Sequence, residues 1–124
     1  MPYKRKFIAV VDDEAAVRKA LQRLLSSSDM EAQTFDSGRS FLDSLALRRP
    51  DCLILDLHMP EMSGLDVLNE ITRLGTLLPT VILTAHDEPG AQMQCLAAGA
   101  KTYLCKPLDE KTLLTAIDNA SPSK

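Results

Sequence analysis

Five polar residues stand at the ends of short apolar runs, and together they have the composition of a phosphoryl-transfer site. Asp12 and Asp13 follow Phe7-Ile8-Ala9-Val10-Val11, and Asp56 follows Cys52-Leu53-Ile54-Leu55. Thr84 follows Val81-Ile82-Leu83, and Lys106 follows Thr102-Tyr103-Leu104-Cys105. Each has an ordinary explanation when taken alone. An aspartate after a strand often caps the next helix, a threonine serves in a turn, and a lysine is solvated at the surface. Taken jointly they outweigh those explanations. Three carboxylates face one ammonium, and each like-charged pair at ~4 Å costs about 4 kcal/mol at an effective dielectric of ~20. Such a pocket wants a divalent cation. All-oxygen donors, with no cysteine and no obligatory histidine, favour magnesium, which also takes a phosphate oxygen.

The elements that must position these residues are short strands alternating with helices. The first helix carries Val17, Leu21, Leu24 and Leu25 on one face, with Arg18, Lys19 and Arg23 outside. Glu31 to Phe35 is polar for a strand and is expected at a sheet edge, and Phe41, Leu42 and Leu45 mark a second helix. The third helix is expected from Ser63, where Ser63-x-x-Asp66 matches a capping box, and should bury Leu65, Leu68 and Ile71. A fourth runs from Pro89, suited to a first turn, to Gly99, suited to a C-cap. Asp109 caps the last helix, with Leu108 and Leu113 at staple positions, and the tail Ser121–Lys124 is expected to fray.

Continuous apolar strands separated by helices predict an α/β fold: a doubly wound, five-stranded parallel sheet with helices on both faces. In such a fold ligands bind beyond the carboxyl ends of the strands, where the five polar residues stand. The 124 residues suffice for one domain with its own core, covering 1–124 and ordered over about 5–120.

Composition excludes several functions. With 45% hydrophobic and 25% charged residues the chain has the ordinary globular balance. A net charge of -3 argues against direct nucleic-acid contact, and the one basic cluster, Lys4-Arg5-Lys6, reads as a solvated gatekeeper before a strand. Cys52, Cys95 and Cys105 have no metal-ligand spacing; they fit buried thiols in a reducing, cytoplasmic setting. No apolar stretch has the length of a membrane span, and no signal-peptide pattern stands at the N-terminus.

Val11-Asp12-Asp13-Glu14, the run from Leu55 to Leu65 (LDLHMPEMSGL), Leu83-Thr84-Ala85 and Lys106-Pro107 resemble the receiver domain of bacterial response regulators, a flavodoxin-like fold. The resemblance covers essentially the whole chain and is nearest to receivers of the FixJ/NarL kind. It implies that Asp56 takes a phosphoryl group from a phosphohistidine on a sensor histidine kinase or phosphotransfer protein. Asp13, Asp56 and the backbone carbonyl of His58 would hold Mg2+, with Asp12 acting through water. Lys106 would pair with Asp56 and then with the phosphoryl oxygens, Thr84 would bond one of them, and the Lys106-Pro107 bond would be cis. Thr84 and Tyr103 would form the switch, against the plainer reading of Tyr103 as a strand aromatic with a solvated hydroxyl. The domain would assist its own phosphorylation and dephosphorylation without being a free-standing enzyme.

Other features bear on that reading. His58 and His86 flank the site and are expected to influence phosphoryl lifetime rather than to bind a transition metal. Pro89 to Ala100 contains no charged residue; it is either a half-buried alanine-rich helix or an interaction face, which the resemblance would give, with strand five, to homodimerisation on phosphorylation or to output contact. Two rivals fit less well. An aspartate-nucleophile phosphatase wants Asp-x-Asp, where this chain has Asp56-Leu57-His58, and a flavin-binding module wants a glycine- and hydroxyl-rich loop, where it has Asp12-Asp13-Glu14.

Overall fold

The computed structural model describes residues 5–107 and 109–122. Five strands, β1 (Phe7–Val11), β2 (Glu31–Phe35), β3 (Cys52–Asp56), β4 (Thr80–Thr84) and β5 (Thr102–Cys105), alternate with five helices. The helices are α1 (Ala15–Ser27), α2 (Gly38–Ser44), α3 (Gly64–Arg73), α4 (Ala91–Ala97) and α5 (Glu110–Ala120). All strand pairs are parallel, in the order β2-β1-β3-β4-β5.

Strand alternation builds a core on each face of the sheet. Ala9, Val11, Leu53, Leu55 and Ile82 point toward α2, α3 and α4, where they meet Phe41, Val67, Leu68, Ile71 and Cys95. Ile8, Val10, Ile54, Val81 and Leu83 point the other way and meet Leu25, Leu113 and Ile117 of α1 and α5. Every residue of β1, β3 and β4 is therefore buried, which is why these strands read as unbroken apolar runs. β2 lies at the edge and is only partly covered, as its polarity suggests. The order of strands reverses between β1 and β3, so the crevice falls between their carboxyl ends.

Local chemistry sets several boundaries. At the start of α3 the Ser63 hydroxyl accepts from the Asp66 amide at 3.2 Å, and the Asp66 carboxylate accepts from the Ser63 amide at 3.0 Å, completing the expected box. Its buried face is Val67, Leu68 and Ile71, whereas Leu65 is only half-buried. α4 begins at Ala91 rather than Pro89, because Gly90 takes a left-handed φ of 83° that an L-residue helix does not accommodate. Its end is as expected: Gly99 has φ 113°, and the amides of Gly99 and Ala100 close onto the carbonyls of Leu96 and Cys95.

Four other expectations change. Lys6 is no free gatekeeper: it is half-buried, bonds the Ser121 carbonyl and lies 3.6 Å from Asp118. Ser121 is thus fastened, and its amide also donates to Ile117. Cys52 and Cys95 are buried, but Cys105, at the last position of an edge strand, is exposed. Asp109 occupies the N-cap of α5, yet its carboxylate takes the Thr112 hydroxyl instead of a backbone amide. Lys4, the staple residue Leu108 and the tail residues Ser123 and Lys124 lie outside the described residues.

Candidate functional site

The carboxyl ends of β1 and β3 deliver Asp12, Asp13 and Asp56 to one point. Each offers a carboxylate oxygen, and the three oxygens lie within 4.8 Å of one another. Asp12 and Asp56 are buried and Asp13 is exposed. Asp12 is held on several sides. Its amide donates to Phe35 at 3.1 Å, its Oδ1 accepts from the Glu14 amide at 2.9 Å, and its carbonyl accepts from Arg18 Nη1 at 2.8 Å. Arg18 is thus half-buried against the pocket, not outside as its helical position suggested.

Lys106, at the end of β5, reaches across the crevice. Its ammonium hydrogen-bonds Asp12 Oδ2 at 2.9 Å and also forms the expected ion pair with Asp56, at 3.8 Å from Oδ1. The two Asp12 oxygens are divided between partners, Oδ1 taking the Glu14 amide and Oδ2 the Lys106 ammonium. Burial, then the charge of Asp12, pushes the Asp56 carboxyl up to about 6, against the opposing pull of Lys106 and a backbone amide bond from His58. Burial pulls Lys106 down, but the bond to Asp12 and the charges of Asp56 and Asp12 outweigh it, so its pKa is raised. The donor set fits a hard divalent cation: oxygen ligands, clustered and short of positive charge.

Thr84 is fully buried at the end of β4, and its hydroxyl is engaged by the following loop. Oγ1 donates to the His86 carbonyl at 3.0 Å and accepts the His86 amide at 3.1 Å. Tyr103 lies half-buried against the α4-side core, and its hydroxyl is not merely solvated, since it donates to Asp87 Oδ1 at 3.0 Å. The His58 and His86 rings lie 5.9 Å apart, and His58 Nε2 is 3.2 Å from Glu88 Oε1. The Lys106-Pro107 bond is cis.

Gly64 is a site residue that composition does not reveal. A Cβ there would lie 2.5 Å from the Asp56 carbonyl oxygen and 2.9 Å from Leu57 Cα, and the Gly64 amide donates to Leu57 at 2.8 Å. The first turn of α3 therefore rests on the backbone that carries Asp56. Asp87 and Glu88 join the site through their partners across the loop, Tyr103 and His58, which sequence spacing does not reveal.

Residues 8–118 match the family model of the response regulator receiver domain. The chain belongs to this family. Among curated relatives, the receiver domain is 37% identical over 111 residues to the DNA-binding transcriptional regulator NtrC of Klebsiella pneumoniae, covering 90% of this chain and 24% of that protein. It is 38% identical over 113 residues to the response regulator protein TmoT of Ectopseudomonas mendocina, covering 91% of this chain and 51% of that protein. The chain thus spans about a quarter to a half of the curated relatives it matches. Among solved structures, FixJ-N superposes with a TM-score of 0.89 at 29% identity, covering 98% of each chain. The chemotaxis protein CheY4 of Vibrio cholerae superposes with a TM-score of 0.88 at 26% identity, covering 94% of this chain and 99% of that one. The receiver domain is a phosphoacceptor of two-component signalling, and receiver domains interact with histidine kinases or phosphotransfer proteins. No helix among the described residues is long and apolar enough to cross a membrane.

Proposed function

We propose that Asp56 is the phosphoryl acceptor of this receiver domain and that Asp12, Asp13, Asp56 and the His58 carbonyl hold Mg2+, with Asp12 acting through water. One observation carries the reading: a buried aspartate stands in a cluster of three carboxylate oxygens within 4.8 Å, with the Lys106 ammonium reaching in. An Asp56 oxygen attacks the phosphorus of a phosphohistidine on a sensor kinase or phosphotransfer protein. The P–O bond forms as the P–N bond breaks, and the electron pair leaves with the imidazole. Bound magnesium supplies positive charge where the phosphoryl oxygens crowd the carboxylates. Lys106 moves its bonding from Asp12 toward those oxygens, and Thr84 donates to one of them.

An apolar groove of about 460 Å³ between α1 and α5, with Val17, Leu21 and Leu113 in its lining, opens beside Lys106. It supports docking of a helical partner next to Asp56. Thr84 and Tyr103 serve as the switch, and the uncharged α4, with Met93 and Leu96 exposed, forms with β5 a face for homodimerisation on phosphorylation. The whole chain acts as one domain that assists its own phosphorylation and dephosphorylation, in a cytoplasmic setting consistent with its free cysteines. Incubation with acetyl phosphate and magnesium, followed by intact-mass measurement, should add one phosphoryl group to the wild type and none to Asp56→Asn. Equal labelling of both proteins rejects Asp56 as the acceptor.

A further inference from the structure

The three residues after Ala85 are each tied to a different part of the site. His86 holds the Thr84 hydroxyl through both its amide and its carbonyl. Asp87 takes the Tyr103 hydroxyl at 3.0 Å, and Glu88 lies 3.2 Å from His58 Nε2, which also lies 3.3 Å from the His86 carbonyl. A threonine hydroxyl has a single hydrogen to give. While Thr84 donates to His86, it cannot donate to a phosphoryl oxygen on Asp56.

We propose that Asp87 and Glu88 form a two-point latch that keeps His86 on the Thr84 hydroxyl and so biases the domain toward its unphosphorylated state. The inference rests on the reading of Thr84 as a phosphoryl-bonding residue. It adds two positioning residues, one reaching sideways to β5 and the other to the loop after β3. The contacts are unequal. Glu88 is largely open to solvent and His58 is about a third open, so their pair is weakly stabilising. The Tyr103 phenol is half-buried, and burial together with the Asp87 bond pushes it up to about 12, which keeps its proton on the shared bond. Asp87 is therefore the stronger of the two points.

Past the latch the backbone bends at Gly90, where the Ala91 amide closes onto the Glu88 carbonyl at 3.0 Å. Gly90, at φ 83°, has nothing within 4 Å of the place a side chain would occupy. Release of Asp87 and Glu88 then lets His86 swing off Thr84 and shifts the entry to α4. Both events follow from breaking the contacts with Tyr103 and His58.

The test is titration of the protein with beryllofluoride, an analogue of the phosphoryl group, at saturating magnesium. Wild type is compared with Tyr103→Phe, Asp87→Ala and Glu88→Gln, with melting temperature recorded for each. Tyr103→Phe and Asp87→Ala should each bind the analogue about three- to tenfold more tightly, and Glu88→Gln by a smaller factor. The Tyr103→Phe/Asp87→Ala double variant should gain no more than either single change. Amide shifts of Thr84 and His86 should move toward their analogue-bound positions in the ligand-free variants. Tightening is a gain that mere loss of structure does not produce. Wild-type or weaker affinity in both Tyr103→Phe and Asp87→Ala, alongside normal binding by wild type, overturns the latch alone. Analogue binding undiminished in Thr84→Ala overturns the role of Thr84 and the latch with it.

Discussion

The Lys106 ammonium is bonded to Asp12 at 2.9 Å and stands 3.8 Å from Asp56. The Lys106 ammonium is thus held most closely by the carboxylate that anchors the turn after β1, leaving the buried Asp56 carboxylate weakly compensated.

In metal-free buffer, Asp56 should make stability fall as pH rises. Its carboxyl is shifted from an ordinary value of 3.8 up to about 6 in the folded protein. The neutral form is favoured by folding, so the stabilisation is complete below about pH 4 and is lost as pH rises through about 6. The full effect is on the order of 2 kcal/mol after screening at the open side of the pocket. Thermal melts in chelator from pH 4 to 7 should show wild type losing stability relative to Asp56→Asn, with the variant the more stable at pH 7. Parallel curves would place Asp56 in a neutral environment.

Lys106→Met should destabilise the metal-free protein at pH 7 by about 2–4 kcal/mol, since it strands a buried carboxylate. Urea denaturation measures this, and adding Asp12→Asn to the same chain should recover most of the loss. Failure of the second change to compensate means that Lys106 acts mainly through Asp56.

Gly64→Ala should cost about 1–3 kcal/mol, because its Cβ meets backbone that cannot rotate away. The damage should also reach the chemistry, through displacement of Asp56, and appear as slower labelling by acetyl phosphate. Labelling at the wild-type rate would show that the acceptor strand absorbs the added methyl elsewhere.

Met93→Glu should abolish any self-association that beryllofluoride and magnesium induce. Met93 is 78% exposed on the uncharged α4, so the change places a charge on the proposed face without disturbing the core. Sedimentation velocity, run with and without the analogue, gives the answer. A variant that dimerises as strongly as wild type assigns the contact to another surface.

Much of the fold was legible because β1, β3 and β4 are covered on both faces, and residues covered on both faces must be apolar. The strand-end residues were legible for a related reason: Asp12, Asp56 and Thr84 are polar groups at buried positions. What escaped depends on side-chain reach or backbone sign. Arg18 counts as polar in a helical period, yet its stem can lie along α1 while its guanidinium bonds the Asp12 carbonyl. The start of α4 moved because of the left-handed turn at Gly90, which the adjacent Pro89 does not announce. The closer approach of Lys106 to Asp12 than to Asp56 is a matter of side-chain reach across the crevice, a relationship invisible along the chain.

The contact between Gly64 and the Asp56 backbone gives the pocket one fixed jaw. Capped at Ser63 and pressed against Leu57, the start of α3 cannot yield without pushing the acceptor strand through a filled core. The facing jaw, from His86 to Glu88, hangs on a few polar contacts near the surface. Compliance is therefore one-sided: the backbone at Asp56 is braced by α3, and the loop from His86 to Glu88 is the side with room to move.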